Sequence, residues 1–145
     1  MTIAFKILRP VALFTLSVLT LTPKAHAAGV VGTCDESSLN AAVAGGGIVT
    51  FTCSGTISLS KNILIQLPTT IDATGQNVTL NGTDSGDILF IQDLTAVGFN
   101  VDLVNLTFLK SALSAVYLTS NIVLHVDNCI FSGNDSGSRH YGGAI

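Results

Sequence analysis

From Ile48 onward, apolar and polar residues alternate in short runs separated by Gly, Asn, Asp and Thr. Three of these runs share a pattern: Val78-Thr79-Leu80, Val101-Asp102-Leu103 and Leu124-His125-Val126 follow one another at an interval of 23 residues. Each is followed, two residues on, by a turn-former (Gly82, Asn105, Asn128). Alternation predicts strands with one buried face, and a fixed interval of this size predicts stacked coils. A second set, Leu89-Phe90-Ile91, Val116-Tyr117-Leu118 and Ala144-Ile145, recurs at intervals of 27 and 29 residues. Between the two sets the connecting turn grows, which predicts one edge carrying progressively longer loops. Earlier strands are predicted at 48–53, 56–59, 63–66, 70–72 and 78–80. Antiparallel hairpins would want two-residue Asn-Gly or Asp-Gly links, and only Asn81-Gly82 supplies one. The pattern therefore predicts an all-β solenoid of parallel strands, with Val78, Val101 and Leu124 stacked in a single row.

Ahead of the strands lies a short amphipathic piece. Thr33 and Glu36 have capping-box spacing, residues 38–44 suit a helix, and Gly45-Gly46-Gly47 stops it. Leu39 and Val43 share one face of that helix. A solenoid needs its open end covered, so this helix is read as a lid on the first coil. At the other end, Gly142-Gly143-Ala144-Ile145 matches Ser114-Ala115-Val116-Tyr117 and reads as the start of another coil. With no polar closing segment after it, the chain is expected to be the front portion of a longer protein.

The first residues read as an address. Lys6 and Arg9 precede an apolar run from Val11 to Leu21, and Ala25-His26-Ala27 supplies a small-residue cleavage pattern. The run is short for a membrane span, which needs about 20 residues. Residues 1–27 are thus expected to be a signal peptide of bacterial type, residues 28–47 the lead and capping helix, and 48–145 the incomplete coils. The expected location is outside the cell or on a bacterial cell surface or outer membrane. Cleavage leaves Lys61, Lys110 and Arg139 against nine acids, a net charge of −6. Three scattered cations make no footprint for nucleic acid, and no second long apolar run predicts a membrane span in the mature chain. An oxidising compartment permits a disulfide between Cys34 and Cys53. Cys129 is left over and is expected on the buried face with Phe131. No spacing typical of zinc ligands is present.

Several stretches carry a family resemblance: residues 33–39, residues 45–57, Thr70-Ile71-Asp72-Ala73-Thr74-Gly75, residues 128–134 and Gly142-Gly143-Ala144-Ile145. Together they resemble secreted bacterial proteins with a right-handed parallel β-helix, the pectin-lyase-like fold. Phe131-Ser132-Gly133-Asn134 and Gly142-Gly143-Ala144-Ile145 are similar to the F-x-G-N and G-G-A-I signatures of polymorphic outer-membrane and adhesin-like repeat proteins. The resemblance implies a fold that hosts lyases, hydrolases, epimerases and non-catalytic surface proteins alike.

For chemistry, the outward positions of the repeated triplets matter most. Stacked coils would set Asp102 and His125 side by side, about 4.7–4.9 Å apart along the axis. An Asp can orient a neighbouring imidazole as a base, although a solvated pair of opposite charge reads the same way. These are weak catalytic candidates, because no nucleophile accompanies them. Asp72 suits an Asx turn. Asp84, Asp87 and Asp93 surround one turn, with Lys110 a coil later, and would be the place for calcium if any is bound; no other cofactor is expected. The loop 132–141 concentrates Arg139, His140 and Tyr141, candidate ligand-binding residues on a rigid scaffold. Asn105 and Asn128 fall at equivalent places and are expected to stack as a structural asparagine ladder. Asn77, Asn105 and Asn134 also match the glycosylation acceptor pattern, which a bacterial signal leaves without a role.

Two functions are compatible with this reading. One is an exported, non-catalytic surface or extracellular protein of adhesion or carbohydrate-binding type, with a polysaccharide or cell-surface glycan as partner. The alternative is a polysaccharide lyase or glycoside hydrolase whose active site lies beyond Ile145.

Overall fold

A computed structural model of the chain describes residues 29–83, 86–135 and 143–145. Its strands form three parallel sheets that the backbone visits in rotation. β1 (Gly29–Val31) leads into α1 (Glu36–Val43). Four coils follow. The first is β2 (Gly47–Phe51), β3 (Gly55–Ser58) and β4 (Ile63–Ile65), and the second is β5 (Thr69–Asp72), β6 (Val78–Asn81) and β7 (Leu89–Ile91). The third is β8 (Phe99–Val104), β9 (Leu106–Leu109) and β10 (Val116–Leu118). The fourth is β11 (Ile122–Asp127) and β12 (Ile130–Ser132), closed by residues 143–145.

The first sheet runs β1-β2-β5-β8-β11, the second β3-β6-β9-β12 and the third β4-β7-β10. Ala144 continues the third sheet, its carbonyl accepting from the Val116 amide at 3.0 Å. This is a parallel β-solenoid, and the alternation that predicted it places every inner residue on another inner residue. Val49, Ile71 and Leu103 form one such row, Ile57, Leu80 and Phe108 a second, and Ile63, Leu89 and Val116 a third. All nine are buried. Burying an aliphatic side chain of this size stabilises by about 1.5–3 kcal/mol, so the interior rows carry the fold.

One row differs from expectation. Val78 stacks on Leu106 in the second sheet, whereas Val101 stacks on Thr69 and Leu124 in the first. The three triplets therefore do not form a single column. The interval of 23 residues is a true coil length from Val101 to Leu124 and from Gly55 to Val78. From Val78 to Val101 it is a coincidence of chain length. Residues 92–98 insert a loop between β7 and β8, where Asp93 accepts from the amides of Thr95 and Gly98. That loop displaces β8, and the single-residue corner at Asn105 then shortens the path to β9. The expected progressive lengthening of one edge mixed the same two sheets. The first three connections from second to third sheet are residues 59–62, 82–88 and 110–115, which do not lengthen steadily, and the fourth, after Ser132, runs largely through residues outside the described ones.

The N-terminal lid also forms with a different cap. Asp35, not Thr33, is the N-cap: its side chain accepts from the Ser38 amide at 2.7 Å. Glu36 does not close a capping box. It reaches across to coil 1, accepting from the amide and hydroxyl of Ser60 and from the amide of Lys61. Leu39 and Val43 are buried, as their spacing requires. Gly29 lets β1 pass under the helix, since a Cβ there would lie 2.6 Å from the Ala42 carbonyl oxygen. Cys34 and Cys53 are joined in a disulfide that ties the lid to the first corner of coil 1.

Candidate functional site

The polar residues of interest gather where the first sheet turns into the second. Coil 2 makes this corner with a longer turn, residues 73–77, whereas coil 3 uses only Asn105 between β8 and β9. Asn105 and Asn128 both adopt left-handed backbone (φ 58° and 48°), a conformation Asn tolerates better than most side chains. Their amides then stack: Asn128 Nδ2 donates to Asn105 Oδ1, and Asn105 Nδ2 donates to Thr74 Oγ1 at 2.7 Å. Thr74 Oγ1 donates in turn to Asp72, whose carboxylate also accepts the Thr74 amide in an Asx turn. The result is one directed chain of hydrogen bonds over three coils, ending on a carboxylate.

Because the coil-2 turn projects past its neighbours, a recess of about 440 Å³ opens beside it. Its polar lining is amide and hydroxyl: Thr74, Gln76, Asn77, Thr79, Asn105, Thr107 and Asn128. None of these side chains is charged. Thr79 and Thr107 are outward positions in the second sheet and are paired with each other in register, with Thr56 one coil before and Ile130 one coil after. Sequence reasoning missed this threonine row. The signal was present as Asn77-Val78-Thr79 and Asn105-Leu106-Thr107, noted above only as glycosylation patterns. The spacing arises because a corner asparagine and the first outward residue of the next strand are both repeat positions. In the third match, Asn134 binds the Ser111 amide and the Phe108 carbonyl, which makes it a structural clamp.

Asp102 and His125 are neighbours in register on the outer face of the first sheet, with Oδ1 and Nδ1 2.8 Å apart. Thr70 Oγ1 donates to the other carboxylate oxygen at 2.9 Å. The order is thus Thr, Asp, His. A nucleophilic hydroxyl would have to meet the imidazole, with the carboxylate behind it; here the hydroxyl bonds the carboxylate. The arrangement fixes an exposed imidazole and lacks an activated nucleophile.

The other candidates separate in space. Asp87 accepts from the Ser114 amide, and Asp93 closes its own loop, the Thr95 bonds holding its carboxyl below the ordinary value. Both carboxylates are thus occupied as backbone caps; Asp84 lies outside the described residues. Among the described residues no group of three or more His, Cys, Asp or Glu side chains is placed to hold a metal ion. Arg139, His140 and Tyr141 also lie outside the described residues. Cys129 is a free, half-buried thiol packed against the core, and burial pushes its pKa up. On the third sheet Leu64, Phe90 and Tyr117 form an outward row, with the two rings stacked at 5.5 Å. No described helix is long and apolar enough to cross a membrane.

Comparison with known proteins finds no matching family model, no matching curated protein and no matching solved structure. The solenoid consequently rests on strand pairing and burial, and the functional reading rests on the recess.

Proposed function

We propose that this chain is an exported, non-catalytic β-solenoid that binds carbohydrate in the recess beside the 73–77 turn, at the cell surface or in the extracellular medium. The observation that carries the reading is the lining itself: amides and hydroxyls, uncharged, held in place by a hydrogen-bond ladder. Such groups match the hydroxyls of a sugar as donor and acceptor at once. A site built on stacked strands keeps them in position before the ligand arrives, so little ordering cost falls on binding.

The test is affinity electrophoresis of the full chain, as the expressing cell processes it, through gels containing neutral or uronate polysaccharides. Retardation by a neutral polysaccharide is expected, weakened by Gln76→Ala and Thr107→Val. Absence of retardation in every gel would overturn the proposal. So would release of unsaturated products from polygalacturonate with calcium, followed by ultraviolet absorbance, since that is lyase chemistry.

A further inference from the structure

The recess repeats itself. Coils 2 to 4 each line it with one polar residue at the corner and one outward residue two positions later: Asn77 and Thr79, Asn105 and Thr107, then Asn128 and Ile130. In coil 1 the equivalents are Ser54 and Thr56, with Ser54 donating to Gln76 Oε1 and accepting the Asn77 amide. Strand pairing places Thr56, Thr79, Thr107 and Ile130 in one row, with successive members about 4.7–4.9 Å apart along the axis. Behind that row the ladder from Asn128 through Asn105 to Thr74 fixes the amide planes. Each amide nitrogen has two hydrogens, so each ladder asparagine keeps one for an incoming group. A surface whose donors and acceptors recur along one axis is complementary to a ligand that also recurs along one axis.

Charge narrows the choice. No cation stands among these positions, and Asp72 and Asp127 flank the corner on the first sheet. A polyanion such as a polyuronate would meet carboxylates without a counter-charge, whereas a neutral polyol meets hydrogen-bonding partners alone.

We infer that the ligand is a linear, uncharged, hydroxyl-bearing polymer laid parallel to the solenoid axis, contacting one corner-and-strand pair per coil. This rests on the carbohydrate-binding reading and adds direction, charge and repetition to it. The row has one break, Ile130, which is 61% exposed and stands where the pattern calls for a hydroxyl.

The experiment is isothermal titration of the full chain with cello-, xylo- and manno-oligosaccharides from mono- to hexasaccharide, and with galacturonate oligomers of the same lengths. In at least one neutral series, affinity rises by about tenfold or more from disaccharide to tetrasaccharide as successive pairs engage, then levels. Ile130→Thr raises affinity for the longer oligomers by about threefold and leaves the disaccharide unchanged. Thr107→Val, which keeps shape and β propensity, lowers affinity for long oligomers while circular dichroism shows the fold intact. Binding that is independent of length, or stronger for galacturonate than for every neutral series, overturns this inference and leaves carbohydrate binding standing. Failure of all the oligomers, together with all the polysaccharide gels, removes both.

Discussion

Along the row Val49, Ile71, Leu103 and Val126, the first three side chains are wholly buried and the fourth, in coil 4, is 39% exposed. The row through Leu89 and Val116 behaves alike, reaching 52% exposure at Ile145. At the opposite end the inner residues of coil 1 are covered. β1 pairs with the edge of β2, α1 packs Leu39 and Val43 downward, Glu36 binds the Ser60 corner, and a disulfide fastens the assembly. The two ends share one inward chemistry, but among the described residues only coil 1 has a layer over it. A coil does not bury its own aliphatic residues; the next layer does.

The sharpest way to break this comparison is one truncation made at two levels. Leu103→Ala, in a row covered on both sides, is expected to cost about 2–5 kcal/mol. Val126→Ala, in the same row at coil 4, is expected to cost about 1 kcal/mol or less. Urea unfolding followed by far-ultraviolet circular dichroism measures both. Because Val126→Ala removes one carbon fewer, equal losses would mean that coil 4 is packed at least as tightly as coil 3.

Next in size is the fastening of the lid. Cys34 and Cys53 are 19 residues apart, and closing a loop of that order contributes about 3 kcal/mol. Cys34→Ser should lower the urea midpoint correspondingly and render the edge of β2 susceptible to proteolysis first. An unchanged midpoint would show that β1 pairing and the Glu36 bonds hold the lid without the covalent link.

A smaller contrast lies in the asparagine ladder. Asn105→Gly removes two bonds from its middle while keeping the left-handed backbone, and should cost about 1–2 kcal/mol. Asn128→Gly removes only the terminal bond and should cost about half as much. If the order reverses, the ladder is not a chain with a loaded middle.

These contrasts also show what sequence patterning could and could not deliver. Alternation made the strands legible, because an inner face that must stay dry forces apolar residues to every second position. The rows through Leu89, Val116 and Ile145 and the pairing of Asp102 with His125 followed from it directly. The row assigned to Val78 failed for a physical reason. Strands of the first and second sheets carry the same inner chemistry, so an interval cannot tell them apart once a loop such as 92–98 changes the path length. Thr33 failed similarly: Thr33 and Asp35 both precede the helix and both suit an N-cap. The choice falls to Asp35 because a tight turn, with the Asp35 amide donating to the Thr33 carbonyl, lies between Thr33 and the helix. The recess was least legible. It needs an outward row from one sheet, corners from three coils and a projecting turn, and only the asparagine–threonine spacing hinted at it.

The smallest effect expected is also the one that tests how charge serves the capped end. Hydrogen bonds from Ser60, then the Lys61 amide and ammonium, hold the Glu36 carboxyl below its ordinary value, and Ser38 and Ser37 do the same for Asp35. A depressed folded value means that the ionised form is favoured in the folded state. The stabilisation is therefore complete above the ordinary carboxylate range near pH 4 and is lost as pH falls through the depressed folded values. Glu36→Gln keeps the size of the side chain and some acceptor capacity but removes the charge. Its urea midpoint should lie below the unsubstituted protein's at pH 6, and the gap should narrow as pH falls below about 4, where the unfolded state protonates, and on through the depressed folded value. A gap that does not narrow at all on acidification would mean that shape and neutral hydrogen bonding join α1 to coil 1, with charge contributing nothing to the lid.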